Sequence, residues 1–134
     1  MTERYVKKLT IEVETLGIMV DTYIVPAALK EQRLAGESIR ALTEVNRSAD
    51  IAEQTARLKL ISDSVSEILA RRRQLRDLLN RCNKMDSEND RAHLLSQEGM
   101  ALMSEVRVIS DRLEEYVSDE YWPLPKYREM LFTN

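Results

Sequence analysis

The sequence is poor in the residues that build turns, strands and reactive sites. Its 134 residues include three glycines, three prolines, one cysteine and one histidine, and aromatic residues make up 5% of the chain. Glycine and proline dominate tight turns, and aromatic side chains are enriched in strands, so this composition argues against a β-rich fold. Charged residues make up 32%. We therefore predict an all-α chain of one domain with a tail.

The scarcity of cysteine, histidine and clustered glycine also limits the chemistry. Cys82 has no disulfide partner and no neighbour at metal-ligand spacing. His93 has no cysteine, serine or carboxylate at the spacing of a catalytic set. The isolated glycines do not form a phosphate-binding loop. The sequence therefore predicts no catalytic, cofactor-binding or metal-binding residue in this chain.

The charge balance and the hydropathy pattern exclude two further classes of partner. Twenty basic and 23 acidic residues give a net charge of -3, whereas phosphate-backbone binding needs a concentrated basic excess. No apolar run approaches the roughly 18 residues that suggest a membrane span, and the charged N-terminus lacks a signal-peptide core. We expect a cytoplasmic protein that binds neither nucleic acid nor membrane.

What the sequence does contain is heptad periodicity in three long stretches. Apolar or small residues recur at alternating spacings of three and four, which is typical of packed helices. The three seams run through Val6, Leu9, Val13, Leu16, Val20, Tyr23 and Ala27, through Ile51, Leu58, Ile61, Val65, Ile68, Leu75 and Leu79, and through Leu95, Gly99, Leu102, Val106, Ile109, Leu113 and Tyr116.

Short connections between these stretches favour an antiparallel bundle of three long helices plus one short helix, followed by an extended proline-containing tail. The helices are predicted near residues 3–34, 37–46, 49–82 and 87–119, within a bundle of residues 1–119 and before a tail of residues 120–134. Gly36 is the predicted stop of the first helix. Pro26 lies inside the first seam, where a kink rather than a stop is predicted.

Two further features of the heptad pattern predict specific helix contacts. Ile11, Ile18 and Val25 follow a line beside the first seam, which predicts that the first helix packs against more than one neighbour. Arg72 occupies a seam position of the second long helix, so its guanidinium is predicted to meet a buried carboxylate or a neighbouring subunit.

The tail concentrates residues that are rare elsewhere. The candidate interaction residues there are Trp122, Pro123, Pro125, Tyr127, Met130, Leu131 and Phe132. The two prolines predict an extended stretch after the last helix, and the residues beyond them can form a short helical turn. The apolar side chains then either fold back on the bundle as a strap or dock on another chain. The residues alone leave both alternatives open.

The two ends of the sequence resemble one enzyme family. The opening "RYVKKLTIEVETL", which continues into "VPAALKEQ", and the closing "VSDEYWPLPKYREMLF" are similar to the extreme C-terminal region of type III glutamine synthetases. The similarity spans nearly the whole chain, although the middle agrees mainly in helical character.

The resemblance implies a C-terminal helical domain of a glutamate–ammonia ligase. ATP and magnesium are implied for the intact enzyme, as are the rest of the synthetase and neighbouring subunits of a homo-oligomer as partners. The family's metal-binding and nucleotide-binding motifs lie upstream of this region, so no catalytic residue carries over. We expect a noncatalytic role in structure, assembly or regulation. The alternative is a free-standing helical adaptor or regulatory protein whose heptad faces bind partner helices.

Overall fold

The computed structural model describes residues 2–126. The predicted helical turn of the tail, with Tyr127, Met130, Leu131 and Phe132, lies outside the described residues. Within residues 2–126 every regular element is a helix, which confirms the all-α class.

Seven helical elements follow one another along the chain. The α-helices are α1 (Thr2–Met19), α2 (Val25–Val45), α3 (Ala52–Asn83), α4 (Glu88–Leu94) and α5 (Met100–Tyr116). The π-helical turns Val20–Ile24 and Leu95–Gly99 join α1 to α2 and α4 to α5. Because the residues flanking both π turns have helical dihedral angles, the seven elements form three long continuous helices.

The predicted stop at Gly36 is wrong, and so is the separate short helix at 37–46. The helix continues through Gly36 to Val45, and no glycine of the described chain has a positive φ. A glycine inside a helix costs about 1 kcal/mol relative to alanine, which neighbouring turns can offset. Those turns carry the ion pairs Arg33–Glu37 and Arg40–Glu44, both at helical spacing.

As predicted, the first long helix does not stop at Pro26. It lies in the first turn of α2, immediately after the π turn Val20–Ile24. A π turn holds one residue more than an α-helical turn, so it also shifts the heptad phase. As a result Ile24 is buried, whereas Tyr23 is 47% exposed, although the sequence pattern placed Tyr23 on the seam.

The helices pack around a single core. Most of it consists of aliphatic side chains, of which Ile61, Ile68, Leu75, Leu95 and Leu113 are fully buried. Ion pairs join Glu67 to Arg112 and Arg71 to Glu105, so residue numbers rise along α3 while they fall along α5. These two helices therefore run in opposite directions.

The prediction for the flanking line of the first helix is only partly correct. Val25 is buried, but Ile11 and Ile18 are 53% and 58% exposed. α1 does contact both α3 and α4, yet these two isoleucines lie outside those interfaces. They are part of an apolar surface that the described residues leave uncovered.

The connection between α2 and α3 belongs to a projecting hairpin, which we define as residues 32–60. None of these residues is buried. The reason is that α5 ends at Tyr116. The Tyr116 carbonyl accepts a hydrogen bond from Arg57 Nη2 at 3.0 Å, which marks the level of α3 at which α5 ends. Beyond that level α2 and α3 have only each other to pack against. Leu34, Leu42 and Val45 remain exposed there, Val45 to 89%.

Among residues 2–126 no helix is both long and apolar enough to cross a membrane.

Candidate functional site: the tail strap and the Arg72 cluster

The last described stretch folds back on the helices, and we call residues 117–126 the strap. Regular helix ends at Tyr116, because Val117 has an extended conformation. The chain then turns at Ser118, whose carbonyl accepts hydrogen bonds from the amides of Tyr121 (3.1 Å) and Trp122 (3.0 Å). The strap is thus held by local hydrogen bonds before the prolines begin.

Two buried charged residues fasten the strap. Glu31, at the end of the buried face of α2, is 8% exposed, and its Oε1 accepts a hydrogen bond from the Ser118 amide at 2.8 Å. Lys126 is 9% exposed; its Nζ donates to the Val117 carbonyl and pairs with Asp119 Oδ1 at 2.7 Å. Both charges have polar partners, which offset the cost of burying them.

Trp122 belongs to the core of its own chain. It is 7% exposed and packs within the same cluster as the aliphatic residues of the helices. Its indole Nε1 has no hydrogen-bond acceptor among the described residues. Leu124 is half-buried against the core, whereas Pro123 and Pro125 are exposed. The docking role predicted for these residues stays a prediction.

Arg72 forms a bidentate pair with Asp21 inside the first π turn. Arg72 Nε lies 3.1 Å from both carboxylate oxygens of Asp21, and Nη2 lies 3.0 Å from Oδ2. Arg76 approaches the same carboxylate at 3.5 Å. The Arg72 side chain is 13% exposed. The partner of Arg72 is a carboxylate of the same chain, as predicted, but the Asp21 side chain is 37% exposed rather than buried.

Gly17 explains how Arg72 reaches this position. A methyl group built on Gly17 would lie 2.6 Å from Cζ and Nη1 of Arg72, which is far inside van der Waals contact. The guanidinium therefore occupies the space that a side chain at residue 17 would need. The glycine, the π turn and the arginine form one local arrangement, which we call the Arg72 cluster (Gly17, Asp21, Arg72 and Arg76).

Substituting alanine at the two glycines of the first long helix should give opposite results. Gly36→Ala should raise the free energy of unfolding by about 0.5–1 kcal/mol, because a helical glycine loses more backbone entropy on folding and nothing lies within 4 Å of the added methyl. Gly17→Ala should give no such gain, because it displaces Arg72 from Asp21. Urea unfolding of both variants measures the difference, and equal gains would contradict a required close approach at Gly17.

Sequence reasoning missed Asp21, Glu31 and Lys126. The predicted seam gave no signal for Glu31, because its alternation of three and four places Lys30, three residues after Ala27, on the seam. The π turn Val20–Ile24 shifts the phase by one residue and brings Glu31 to the buried face. Asp21 and Lys126 gave no signal either, because their contacts depend on how distant segments meet.

Cys82 and His93 lie in opposite environments. Cys82 is 4% exposed, and burial raises the pKa of its thiol above the ordinary value. A raised pKa keeps the thiol protonated and weakens it as a nucleophile and as a metal ligand. His93 is exposed. Within residues 2–126 no three His, Cys, Asp or Glu side chains are grouped closely enough to hold a metal ion.

The buried thiol gives a testable pH dependence. Because the folded state raises the Cys82 pKa, the thiol contributes stability below its unfolded pKa of about 8.5. That contribution is lost as the pH rises toward the folded pKa. We expect the urea midpoint to fall more steeply between pH 7 and pH 10 in the natural chain than in Cys82→Ala. Parallel slopes in the two proteins would contradict this linkage.

Two curated proteins have sequences similar to this chain. A type-3 glutamine synthetase of Dictyostelium discoideum is 32% identical over 134 residues, and a glutamine synthetase of Bacteroides fragilis is 30% identical over 135 residues. These alignments cover 97% and 98% of this chain. The chain is related to type-3 glutamine synthetases. The resemblance predicted from the two ends of the sequence is confirmed, and the similarity extends through the middle.

The chain spans only 18% of the length of each of these synthetases. No family model matches it. The ATP and magnesium that the resemblance implies for the intact enzyme stay a prediction. The described residues offer no group of metal ligands, and the Arg72 guanidinium is already paired with Asp21.

Proposed function

We propose that this chain is a noncatalytic C-terminal helical domain of a type III glutamine synthetase, and that it serves the stability and assembly of that enzyme. The proposal rests on the two alignments, which cover nearly all of this chain and only 18% of the length of each relative. The remaining length of such a synthetase is available for the ligase chemistry. The intact protein would join glutamate and ammonia at the expense of ATP, with divalent metal, as a cytoplasmic homo-oligomer.

The packing of the described residues supports a structural role. Among the described residues each strongly buried charge has a partner: Glu31 binds the Ser118 amide, Lys126 binds Val117 and Asp119 within the strap, and Arg72 binds Asp21. Polar groups that are satisfied internally stabilise a unique arrangement rather than leaving a reactive site. We describe that arrangement as an antiparallel bundle closed by the strap.

The projecting hairpin is the surface that we assign to assembly. Its exposed Leu34, Leu42 and Val45 lie on a part of the chain where α5 gives no cover. Apolar side chains that a domain leaves exposed together are typical of contacts with another protein surface. In the intact enzyme that surface would be the synthetase body or a neighbouring subunit.

The first test is enzymatic. The purified chain, supplied with glutamate, ammonia, ATP and magnesium, should form no glutamine above a protein-free control. Heat-sensitive glutamine formation by the purified chain would overturn the noncatalytic assignment.

The second test addresses assembly in an intact synthetase that carries this domain. Replacing the residues at positions 34, 42 and 45 with serine should lower the particle mass measured by light scattering. A serine at position 69, where the exposed Leu69 lies on α3 outside the projecting hairpin, is the matched control. An unchanged mass in the triple variant would argue against the hairpin as an assembly contact.

A further inference from the structure

Both arms of the projecting hairpin hold the junction between α5 and the strap. On the α2 side, Glu31 Oε1 accepts a hydrogen bond from the Ser118 amide at 2.8 Å. On the α3 side, Arg57 Nη2 donates a hydrogen bond to the Tyr116 carbonyl at 3.0 Å. Glu31 directly precedes the hairpin and Arg57 lies within its α3 arm, so both contacts are made at the base of the hairpin.

The two contacts satisfy backbone groups that the end of a helix leaves without partners. The last carbonyls of an α-helix have no intrahelical donor, and they form the negative end of the helix dipole. Arg57 places a cation there, and its Cζ lies 5.4 Å from the centroid of the Tyr116 ring. Glu31, 8% exposed, accepts from the amide on the other side of Val117, where the backbone becomes extended.

The strap also lies beside the outer surface of α2. Tyr121 of the strap and side chains of α2, among them Lys30 and Leu34, line a recess of about 290 Å³. Leu34 is one of the exposed residues that we assign to assembly. A protein surface that covers Leu34 would therefore lie next to Tyr121, which directly precedes the buried Trp122.

We propose that the base of the hairpin is a latch, consisting of Glu31, Arg57, Tyr116 and Ser118, that couples the position of the two hairpin arms to closure of the strap. The inference rests on the proposed function, because it states what a contact at the hairpin changes elsewhere in the domain. With both arms in place, the junction is held and Trp122 stays in the core.

The hairpin is the part of the fold that can transmit such a change. Because none of residues 32–60 is buried, its arms are held by few apolar contacts, and regions of this kind open at low free-energy cost. A partner that binds more tightly to separated arms would shift the population toward the open strap. A partner that holds the arms together would keep the strap closed.

The one tryptophan of the sequence provides a measurement of strap opening. Trp122 is 7% exposed, and its indole Nε1 has no acceptor among the described residues. Burial therefore protects its proton from solvent, and NMR hydrogen exchange of that proton reports opening of the strap. Exchange of the amide of Ile68, which is fully buried in α3, reports global unfolding. Both are measured in the purified 134-residue chain.

The urea dependence shows whether the strap opens by itself. Opening of the strap exposes little surface, so exchange of the indole proton should be almost independent of urea at low concentration, whereas exchange of the Ile68 amide should accelerate. The same urea dependence at the two protons would overturn the proposal, because the strap would then open only together with the whole fold.

Substitutions in the latch should accelerate opening of the strap. Glu31→Gln should increase the exchange rate of the indole proton about tenfold, because a hydrogen bond to a charged acceptor is stronger than one to a neutral acceptor. Arg57→Gln should increase it about threefold. Glu44→Gln is the matched control and should leave the rate unchanged, because Glu44 is an exposed α2 residue that pairs with Arg40. Unchanged rates in both latch variants would overturn the proposal.

A substitution within the hairpin tests the coupling itself. Ile39 is half-buried in the α2 arm, so Ile39→Asp should loosen the arms and increase the indole exchange rate about threefold. It should cause no further increase when Glu31→Gln and Arg57→Gln are already present. Ile18→Asp, at an exposed site of α1 outside the hairpin, is the control. Ile39→Ser is the milder second variant, and circular dichroism verifies folding.

Each outcome of the coupling experiment decides the proposal. Acceleration by the Ile39 variants that depends on an intact latch supports it. An unchanged rate in the natural background would overturn it, and so would an equal acceleration with and without the latch, because the hairpin and the strap would then be independent. These rates are measured without the synthetase body, so a failed latch leaves the light-scattering test of assembly unaffected.

Discussion

Deleting Ser104 should abolish cooperative unfolding of the chain. Ser104 is an exposed residue inside the regular helix α5, and removing one residue rotates the rest of an α-helix by about 100°. Val106, Ile109 and Leu113, which are all buried, would turn out of the core. Each is worth about 1.5–3 kcal/mol when buried, and three such losses approach the total stability of about 5–15 kcal/mol of a typical domain.

A matched deletion of Gln97 should be tolerated. Gln97 is also exposed and polar, but it lies in the π turn Leu95–Gly99. Because a π turn holds one residue more than an α-helical turn, the deletion converts it to α-helix and keeps the phase of the buried Leu94 and Met103. We expect cooperative urea unfolding, monitored by far-ultraviolet circular dichroism, with a free energy of unfolding about 1–3 kcal/mol lower than in the natural chain. Equal damage from both deletions would show that the π turn does not absorb the extra residue.

Replacing Trp122 with alanine should lower the free energy of unfolding by about 3–5 kcal/mol, the usual cost of truncating a buried aromatic residue. The structure supplies the reason, since Trp122 is 7% exposed and belongs to the core cluster. Its loss would also release the strap from the helices. Guanidinium unfolding monitored by circular dichroism measures the effect, because the variant has no tryptophan fluorescence.

Two controls separate the side chain from the surrounding strap. Trp122→Phe should retain most of the stability, because it keeps an aromatic ring and removes an indole N–H that has no acceptor among the described residues. Pro123→Ala, at an exposed neighbouring position, should change stability by less than about 0.5 kcal/mol. A small loss for Trp122→Ala would instead indicate that Trp122 is buried only within a larger assembly.

The sequence patterns were reliable where one periodicity dominated. The seam residues Val13, Ile68 and Leu113 are all buried. Asp86 and Ser87 were alternative caps in the polar cluster before α4, and Ser87 is the one that accepts a hydrogen bond from the Asp90 amide. The seam position of Arg72 likewise marked a side chain that is largely buried.

The patterns failed where a local rule competed with the rest of the fold. Gly36 satisfied the rule for a helix end, but the helix continued because ion pairs and α3 stabilise its next turns. Tyr23 satisfied the heptad, but the π turn shifted the phase and placed Ile24 in the core. The heptad spacing gave no sign of this π turn, which holds Asp21 at the Arg72 guanidinium.

The sequence by itself determined the helical class, the apolar faces of the three long helices and the relationship to type-3 glutamine synthetases, because all three depend on residue order and spacing. Only the tertiary structure decided that Trp122 lies in the core of its own chain, that Arg72 pairs with Asp21, and that Glu31 of α2 binds the Ser118 amide of the strap. These features join residues that are far apart in the chain, and such contacts depend on helix phase and packing rather than on local spacing.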